Sequence, residues 1–406
     1  MDFSYSDEQR QLADSLRRFT EERYPIDARR NAVRHPDGFS RDAWRTYAEF
    51  GVLGLTIASD YGGFDGTATD IFAVQFEAGR ALLPEPLIPC AVMAAGLIQR
   101  FGTDAQRQAW LPAMAEGREI VTLAYQEPEN RYDYARPSTM ARAQDDGFVL
   151  DGCKAHVWHG GAADSLIVSA WNASIQAVSL FIVPASAAGV TVRAYPTLDG
   201  ERAAEVTLEA VRVPQRAMLG DGARGQAMLE AALELGIAAS CAASAGAMER
   251  LIEMTSEYLC TRKQFGQALG RFQALRHRVA DMLVQKELAL SMAHLAASAI
   301  EETDATERRR MISSAKLIVS RAARFIGEQA VQLHGGMGVT AELAVGDYFK
   351  YLTAASLRLG DADFHADVLA NLPLDSNVRG DHAPSPSARS RERATASSRL
   401  DTPSLL

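Results

Sequence analysis

The sequence predicts a multidomain α+β chain with a helical N-terminal domain, a central domain of strands and a helical C-terminal domain. Apolar residues recur at helical spacing towards both ends of the 406-residue chain. Short β-branched runs, punctuated by Gly, Pro and Asp, fill its middle. With 47% hydrophobic and 23% charged residues, the chain has enough apolar material for buried cores in two or three domains.

The helical N-terminal domain is expected over residues 1–120. Ser6 and Gln9 match a capping box, and Leu12 and Leu16 follow on one helical face. Prolines and glycines then divide the next hundred residues, which predicts short helices joined by turns.

The middle β domain is expected over residues 121–225, where runs such as 178–183 have the length and β-branching of strands. The C-terminal helical domain is expected over 226–372, because its apolar residues keep helical spacing over long stretches. Residues 373–406 are rich in Ser, Arg, Ala and Pro and poor in apolar residues. Such a segment cannot bury enough surface to offset its ordering entropy, so it is predicted to be a disordered tail.

Charge and cysteine usage disfavour several classes of function. The net charge of -9 disfavours nucleic acid as a partner, because affinity for phosphate backbones comes mainly from cationic side chains. The four cysteines are far apart and lack metal-ligand spacing, so neither a metal site nor a disulfide framework is expected. The sequence shows no secretory signal and no uninterrupted apolar segment long enough for a bilayer, which predicts a cytoplasmic protein without membrane contact.

Two motifs stand out in the helical second half. Residues 258–266 read Tyr-Leu-Cys-Thr-Arg-Lys-Gln-Phe-Gly, and residues 332–338 read Gln-Leu-His-Gly-Gly-Met-Gly. The guanidinium of Arg262 can bridge phosphate oxygens, and backbone N–H groups at glycines can approach an anion without a Cβ in the way. These features suit a pyrophosphate. On the residues alone, a solvated arginine and a glycine helix cap are the simpler interpretation.

The two motifs in this order, the succession of domains and the Glu127-Pro128 segment resemble the acyl-CoA dehydrogenases over about residues 1–372. Within that family the chain most resembles small subunits of bacterial heteromeric enzymes, the pimeloyl-CoA type among them. The resemblance implies a central β-barrel-like domain and a C-terminal four-helix bundle. It also implies FAD as the cofactor.

The resemblance implies a set of flavin-binding positions. In the family, the arginine motif and the glycine motif of one protomer hold the adenylate half of the FAD bound by its neighbour. Gln126 and Trp158 stand where small hydroxyl side chains would meet the flavin, and each could still offer an N–H donor. The implied positions are Arg262, Phe265, Gln332, Gly335, Gly336, Gly338, Gln126 and Trp158.

No carboxylate stands at the positions where the resemblance implies a catalytic base. Removal of an α-proton from a thioester, while a flavin accepts hydride from the β-carbon, requires a positioned carboxylate. The resemblance implies three possible locations, at Leu359, Gly236 and Ala243, and none of them carries one. The nearest candidates are Asp361, two residues past the loop position, and as an alternative Glu234, two residues before the helix position.

Two functions therefore follow from the resemblance. The first is FAD-dependent α,β-dehydrogenation of an acyl-CoA thioester, by this chain as one subunit of a heteromeric enzyme such as a heterotetramer. The alternative is a non-catalytic partner subunit that only completes the flavin site of another chain. A DNA-binding flavoprotein of the same fold is disfavoured by the charge.

The implied partners are an acyl-CoA substrate from fatty acid or steroid side-chain metabolism and a homologous large subunit. In place of the large subunit, further copies of this chain could complete a dimer or tetramer. The resemblance also implies electron-transfer flavoprotein as electron acceptor.

Overall fold

The N-terminal region is helical and begins at the predicted capping box. The structure is a computed structural model that describes residues 5–373, so the predicted tail from residue 374 onward lies outside the described residues. The Ser6 hydroxyl accepts a hydrogen bond from Gln9 N at 3.2 Å, and Gln9 Oε1 accepts one from Ser6 N at 3.0 Å. A π-helical segment, Leu87–Ala94, leads into the fifth helix. The helices are α1 (Asp7–Arg23), α2 (Ile26–Arg34), α3 (Arg41–Glu49), α4 (Ala68–Arg80), α5 (Ala95–Phe101) and α6 (Asp104–Ala115).

The middle region is one curled sheet. Its strands are β1 (Val121–Ala124), β2 (Met140–Gln144), β3 (Gly147–Trp158), β4 (Ser165–Asn172), β5 (Ala177–Pro184), β6 (Val190–Pro196) and β7 (Arg202–Pro214). They are ordered β1-β4-β2-β3-β7-β6, with β5 paired on the other side of β4. β4 runs parallel to β1 and β2, whereas the other pairs are antiparallel. One face encloses a core around Phe148 and Phe181, and the other packs Ile167 and Ile182 against the helices.

The C-terminal region is the expected four-helix bundle. Its helices are α7 (Gly225–Thr261), α8 (Gln273–Ala299), α9 (Ala305–His334) and α10 (Val345–Leu357), followed by α11 (Ala362–Asn371). A small hairpin of β8 (Lys263–Gln264) and β9 (Gln267–Ala268) connects α7 to α8. The buried core of the bundle includes Met248, Leu251, Met282 and Ile326. Side chains from α7 thus reach both the bundle core and the core that α7 shares with the sheet.

Glycines bring α7 into close contact with α4. A Cβ added at Gly79 would lie 1.8 Å from the carbonyl oxygen of Ala243, and one added at Gly246 would lie 1.9 Å from that of Phe76. Both distances are far below van der Waals contact, so any larger residue would force the helices apart. The two glycines therefore fix the position of α7 against the N-terminal helices.

The central helix is also strongly apolar. Within the described residues, one helix, Gly222–Thr261, is long and apolar enough to cross a membrane by length and composition. Its most apolar window is 89% buried by the rest of the protein. The apolar surface of this helix is therefore used in the core of the protein.

Candidate functional site

One end of the bundle carries the arginine motif. The backbone N–H of Arg262 donates to Tyr258 O at 2.8 Å where α7 ends. The β8–β9 turn then holds Phe265 and Gly266 at φ values of 52° and 78°. The Arg262 side chain is exposed, and Phe265 is 86% exposed. A phenyl ring this exposed contributes little to the stability of its own chain.

The glycine motif follows α9 at the same end. The His334 ring stacks on Tyr258 with 4.3 Å between ring centroids, which joins the two motifs. Gly335 ends α9 with φ of 60°, and a Cβ added at Gly335 or Gly336 would meet no atom within 4 Å. Gly338 is packed, since an added Cβ would lie 2.6 Å from a carbonyl oxygen of α9. The backbone at Gly335 and Gly336 is therefore open to a ligand, although Gly335 is also a helix cap.

A cleft of about 380 Å³ lies between the sheet and the end of α10. Gln126, Trp158, Arg358 and Leu359 are among its lining residues. Its volume is within the range of small-molecule sites. Among the described residues, the lining includes none of the six predicted positions at the bundle end, Arg262, Phe265, Gln332, Gly335, Gly336 and Gly338. Gln332 is exposed in the last turn of α9, at the same end of the bundle as the other five. The structure thus places these six residues at the bundle end and Gln126 and Trp158 in the cleft.

Glu127 anchors the wall of this cleft. Its carboxylate accepts hydrogen bonds from Lys154 Nζ at 2.8 Å, Thr139 N at 2.9 Å and Ser138 N at 2.5 Å. Burial alone would raise the pKa of Glu127, but the Lys154 ammonium and these hydrogen bonds lower it to about 2. Burial lowers the pKa of Lys154 to about 8 against the attraction of Glu127. The Glu127-Pro128 segment is therefore held by a buried network of charge-assisted hydrogen bonds.

The expected donors at Gln126 and Trp158 have partners within the chain. Trp158 Nε1–H donates to Glu201 Oε2 at 2.6 Å, and the guanidinium carbon of Arg358 lies 4.5 Å from the Trp158 ring centroid. Gln126 Nε2 donates to Arg131 O at 3.3 Å. The indole carries a single N–H, so Trp158 presents its ring to the cleft and not the donor that we expected. The amide of Gln126 keeps one further N–H.

A buried ion network fixes Arg358 on the cleft wall. Its Nη2 lies 2.6 Å from Asp199 Oδ2 and 3.2 Å from Glu201 Oε2, and both carboxylates are almost fully buried. Arg29 of α2 donates to Asp199 O at 2.8 Å. Burial would raise the pKa of Glu201, but Arg358 and neighbouring hydrogen bonds lower it to about 2. The network therefore joins the N-terminal helices, the sheet and the end of α10 around the cleft.

The loop and helix positions expected for a base meet at one apolar point. A Cβ added at Gly236 would lie 3.2 Å from Leu359 Cδ1 and 2.6 Å from Met93 Sδ. Leu359 has φ of 59° and lines the cleft. The third position, Ala243, lies further along α7, where its carbonyl oxygen faces Gly79 of α4. The side chains that fill the shared point are hydrocarbon and thioether, which cannot abstract a proton.

The two candidate carboxylates are both ion-paired. Asp361 Oδ2 lies 2.7 Å from Arg131 Nη2, and its Oδ1 accepts from Phe364 N at 2.8 Å in the first turn of α11. Glu234 Oε2 lies 2.7 Å from Arg308 Nε. Asp361 as the base and Glu234 as the alternative stay predictions, and each carboxylate is paired with an arginine.

Sequence reasoning passed over His365, which the structure brings to the same region. His365 is 2% exposed on α11, and its Nε2 lies 3.0 Å from Leu359 O. It also lines a second cavity of about 40 Å³ between α7, α9 and α11, which shares Leu359 with the cleft. His365 belongs to neither motif. A signal for it was its position six residues after the expected base position, Leu359, at the end of the first turn of α11.

Comparisons with known proteins agree with the fold. Acyl-CoA dehydrogenase domain models match the chain over residues 6–118 (N-terminal domain), 122–211 (middle domain) and 223–371 (C-terminal domain). The chain is 28% identical over 379 residues to the probable acyl-CoA dehydrogenase YngJ of Bacillus subtilis, covering 91% of this chain and 99% of the relative.

Solved structures share the same architecture. A variant of the Tcur3481-Tcur3483 steroid ACAD matches with a TM-score of 0.82 and 28% identity, over 90% of this chain and 97% of that one. The ChsE4-ChsE5 complex from Mycobacterium tuberculosis matches in fold, with a TM-score of 0.83 and 24% identity, over 92% and 100% of the two chains. The predicted family and fold are confirmed. Because the domain models cover most of its length, this chain belongs to the acyl-CoA dehydrogenase family, whose members are oxidoreductases that act on CH–CH groups.

Proposed function

We propose that this chain is one subunit of a heteromeric, FAD-dependent acyl-CoA dehydrogenase, in which a homologous partner chain supplies the carboxylate that removes the α-proton. The observation that carries the proposal is the apolar point at which Leu359 approaches Gly236. A proton acceptor is required there, and the chain offers a leucine side chain.

The ion pairs of the nearby carboxylates support the same proposal. Asp361 would have to leave both Arg131 and the start of α11 to act as a base, and Glu234 would have to leave Arg308. Each move breaks a charge-assisted hydrogen bond. A self-sufficient enzyme with Asp361 as its base is the competing function, and it requires this rearrangement.

The bundle end fits the phosphate-bearing half of FAD. Arg262 is exposed, and the open backbone at Gly335 and Gly336 leaves room for an anion to approach. We propose that these residues, with Phe265 and Gln332, hold a flavin bound mainly by the partner. When bound, FAD accepts the hydride that leaves the β-carbon of the thioester.

The cleft of this chain fits a flavin ring less well. Trp158 has its N–H bonded to Glu201, and its ring lies under the Arg358 guanidinium. The indole N–H is therefore not free to bond a ligand, and Nη2 of Arg358 is already paired with Asp199 and Glu201. Because these donors are already bonded within the chain, we favour a chain that completes the partner's flavin site and is not itself catalytic.

Relatives and the exposed surface support a heteromeric assembly. The ChsE4-ChsE5 structure is a complex of two named components, and the Tcur3481-Tcur3483 protein likewise has two. The chain exposes Phe265 and, on α8, the side chains of Leu283, Val284 and Leu288. Exposed apolar side chains on the Arg262 hairpin and along α8 suit burial against a second chain. We propose electron-transfer flavoprotein as the electron acceptor of the assembly.

Expression of the chain with and without a homologous large subunit tests the proposal. We expect little flavin and no dehydrogenation of butyryl-CoA by the chain alone, and a yellow, active complex after co-expression. A homotetramer of this chain that turns over acyl-CoA with one FAD per chain would contradict the proposal.

A pair of arginine variants tests the contact across the interface. Arg262→Met should weaken flavin retention of the complex roughly tenfold or more, as expected for the loss of a charge-assisted contact. Arg45→Met on α3 is the control, because Arg45 is exposed and pairs only with Asp42 among the described ion pairs. Equal flavin retention in both variants would show that Arg262 does not contact the flavin.

A further inference from the structure

The hairpin after α7 and the start of α8 carry a patch of positive charge. From residue 262 to residue 280 the chain contains five lysine and arginine side chains and no aspartate or glutamate, although its net charge is -9. All five residues are exposed. They form the hairpin patch, which consists of Arg262, Lys263, Arg271, Arg276 and Arg278.

The local backbone keeps the members of the hairpin patch close together. β8 and β9 pair as a hairpin, and Arg262 O accepts a hydrogen bond from Leu269 N at 2.9 Å. A short 3₁₀ turn, Leu269–Arg271, then leads to α8. From Gln273 to Arg278 the axis of α8 rises by only about 8 Å. The five cations therefore occupy one short, connected stretch of surface.

The hairpin patch has no compensating negative charge within residues 5–373. Four of its members form no ion pair there, and the fifth, Arg278, donates from Nη1 to the neutral amide oxygen of Gln329 at 3.2 Å. The first turn of α8 holds no acidic residue, and its N-terminus has no side-chain cap. Because the helix dipole disfavours cations at this end, an anionic partner would stabilise the patch.

The flavin accounts for only part of this charge. Under the proposed function Arg262 contacts the diphosphate of FAD, and one diphosphate group cannot neutralise five cations. The rest of the patch then faces the protein surface around that flavin. Phe265, 86% exposed in the hairpin, and Val339, 78% exposed after the glycine motif, add apolar contact area at the same end of the bundle. Arginine and aromatic side chains are enriched in protein interfaces.

We propose that the hairpin patch docks on an acidic surface of the homologous partner chain, next to the flavin site that this chain completes. The inference rests on the proposed function, because a partner whose flavin meets Arg262 brings its own surface to the patch. Residues 374–406 contain five arginines and four acidic residues, so they supply no excess of negative charge. Opposite charges across an interface speed association and select the partner.

The dissociation constant of the flavin-loaded complex, measured by dilution, tests the patch. Charge reversal at three of its residues leaves Arg262, the proposed flavin contact, in place. At about 50 mM salt we expect this triple variant to weaken the complex about tenfold or more, because attraction becomes repulsion at several exposed pairs. The variant is Lys263→Glu, Arg271→Glu and Arg276→Glu.

A second triple variant is the matched control. It changes the net charge by the same amount, at three exposed arginines that form no ion pair in the described part of the chain. We expect it to weaken the complex less than about twofold, because only the overall charge then differs. The urea unfolding midpoint of each triple variant checks that its fold is retained. The control is Arg212→Glu, Arg216→Glu and Arg224→Glu.

Salt separates the charge from the other contacts. Raising the salt concentration from about 10 mM to about 1 M shortens the screening length from about 30 Å to about 3 Å. We expect the wild-type complex to weaken with salt and the patch variant to weaken less, so that the two differ by about twofold or less at the higher concentration. The assembled patch variant should hold as much FAD as the wild-type complex.

The inference is overturned if the patch variant and the control have equal dissociation constants, or if salt leaves the wild-type complex unchanged. Loss of FAD from the assembled patch variant would assign these cations to the flavin phosphates and would also overturn it. So would a patch variant that loses self-association of this chain and keeps the heteromeric complex. A chain that forms no complex with the large subunit at any salt concentration contradicts the proposed function, whereas an active complex without the patch effect contradicts only the docking surface.

Discussion

Replacement of Arg358 by methionine would test the buried network that shapes the cleft. Arg358 is 9% exposed and bridges Asp199 and Glu201, whose side chains are 0% and 4% exposed. Methionine fills much of the same space without the charge. Two carboxylates would then remain buried without their cation.

The expected cost follows from the pKa of Glu201. The fold lowers this pKa from its ordinary value of 4.5 to about 2, and one pKa unit corresponds to about 1.4 kcal/mol. The fold therefore stabilises the ionised carboxylate of Glu201 by about 3 kcal/mol, and Arg358 is the leading favourable partner. Loss of one partner from a buried ion pair generally costs about 3–5 kcal/mol. We therefore expect the free energy of unfolding to fall by about 3–5 kcal/mol at pH 7.

Urea unfolding at pH 7 would measure this change, with Arg131→Met as the matched control. Arg131 also pairs with an aspartate, Asp361, but its side chain is 74% exposed, so we expect a loss of less than about 1 kcal/mol. Adding Asp199→Asn and Glu201→Gln to Arg358→Met should recover part of the loss, since no uncompensated charge is then buried. A loss below about 1 kcal/mol for Arg358→Met would refute this account of the network.

Three further predictions concern single sites. The pKa of Glu201 in the folded protein is about 2, below its ordinary value of 4.5, so Glu201 stabilises the fold above pH 4.5 and this contribution is lost as the pH falls towards about 2. In an acid titration, Glu201→Gln should therefore lose less stability between pH 4.5 and about 2 than the wild type does. Gly79→Ala would place its Cβ 1.8 Å from Ala243 O and should lower the free energy of unfolding, measured in urea, by about 1–3 kcal/mol or more. Gly336→Ala is the control, because its Cβ meets no atom within 4 Å, and it should change the free energy of unfolding by less than about 0.5 kcal/mol. Asp361→Asn should leave flavin content and turnover of the complex intact in a steady-state assay; lost turnover with retained flavin would identify Asp361 as the base.

Local and periodic features of the molecule could be predicted from the sequence. The Ser6 capping box needs only residues three apart, and the order of helices, strands and helices follows from hydrophobic spacing. Arg262 and Gly335 were found because each belongs to a compact motif. The absence of a carboxylate at Leu359 and Gly236 followed from counting along the chain.

Contacts between distant segments could not be predicted in this way. Trp158 was expected to offer its N–H, but Glu201, 43 positions away, accepts it. Arg358 reaches Asp199 across 159 positions. Such partners depend on how the three domains meet, which hydrophobic periodicity does not determine. For the same reason the contact between Leu359 and Gly236 became visible only in the folded chain.

The most direct test of the central claim is flavin reduction by this chain without a partner. The purified chain would be reconstituted with FAD, and butyryl-CoA added without oxygen while the visible absorbance of the flavin is followed. Because neither Leu359 nor Gly236 carries a carboxylate at the point where they meet, we predict that the flavin stays oxidised, and that it is reduced once the homologous large subunit is present. Rapid reduction in the chain alone would show that the chain carries its own base and would contradict the account.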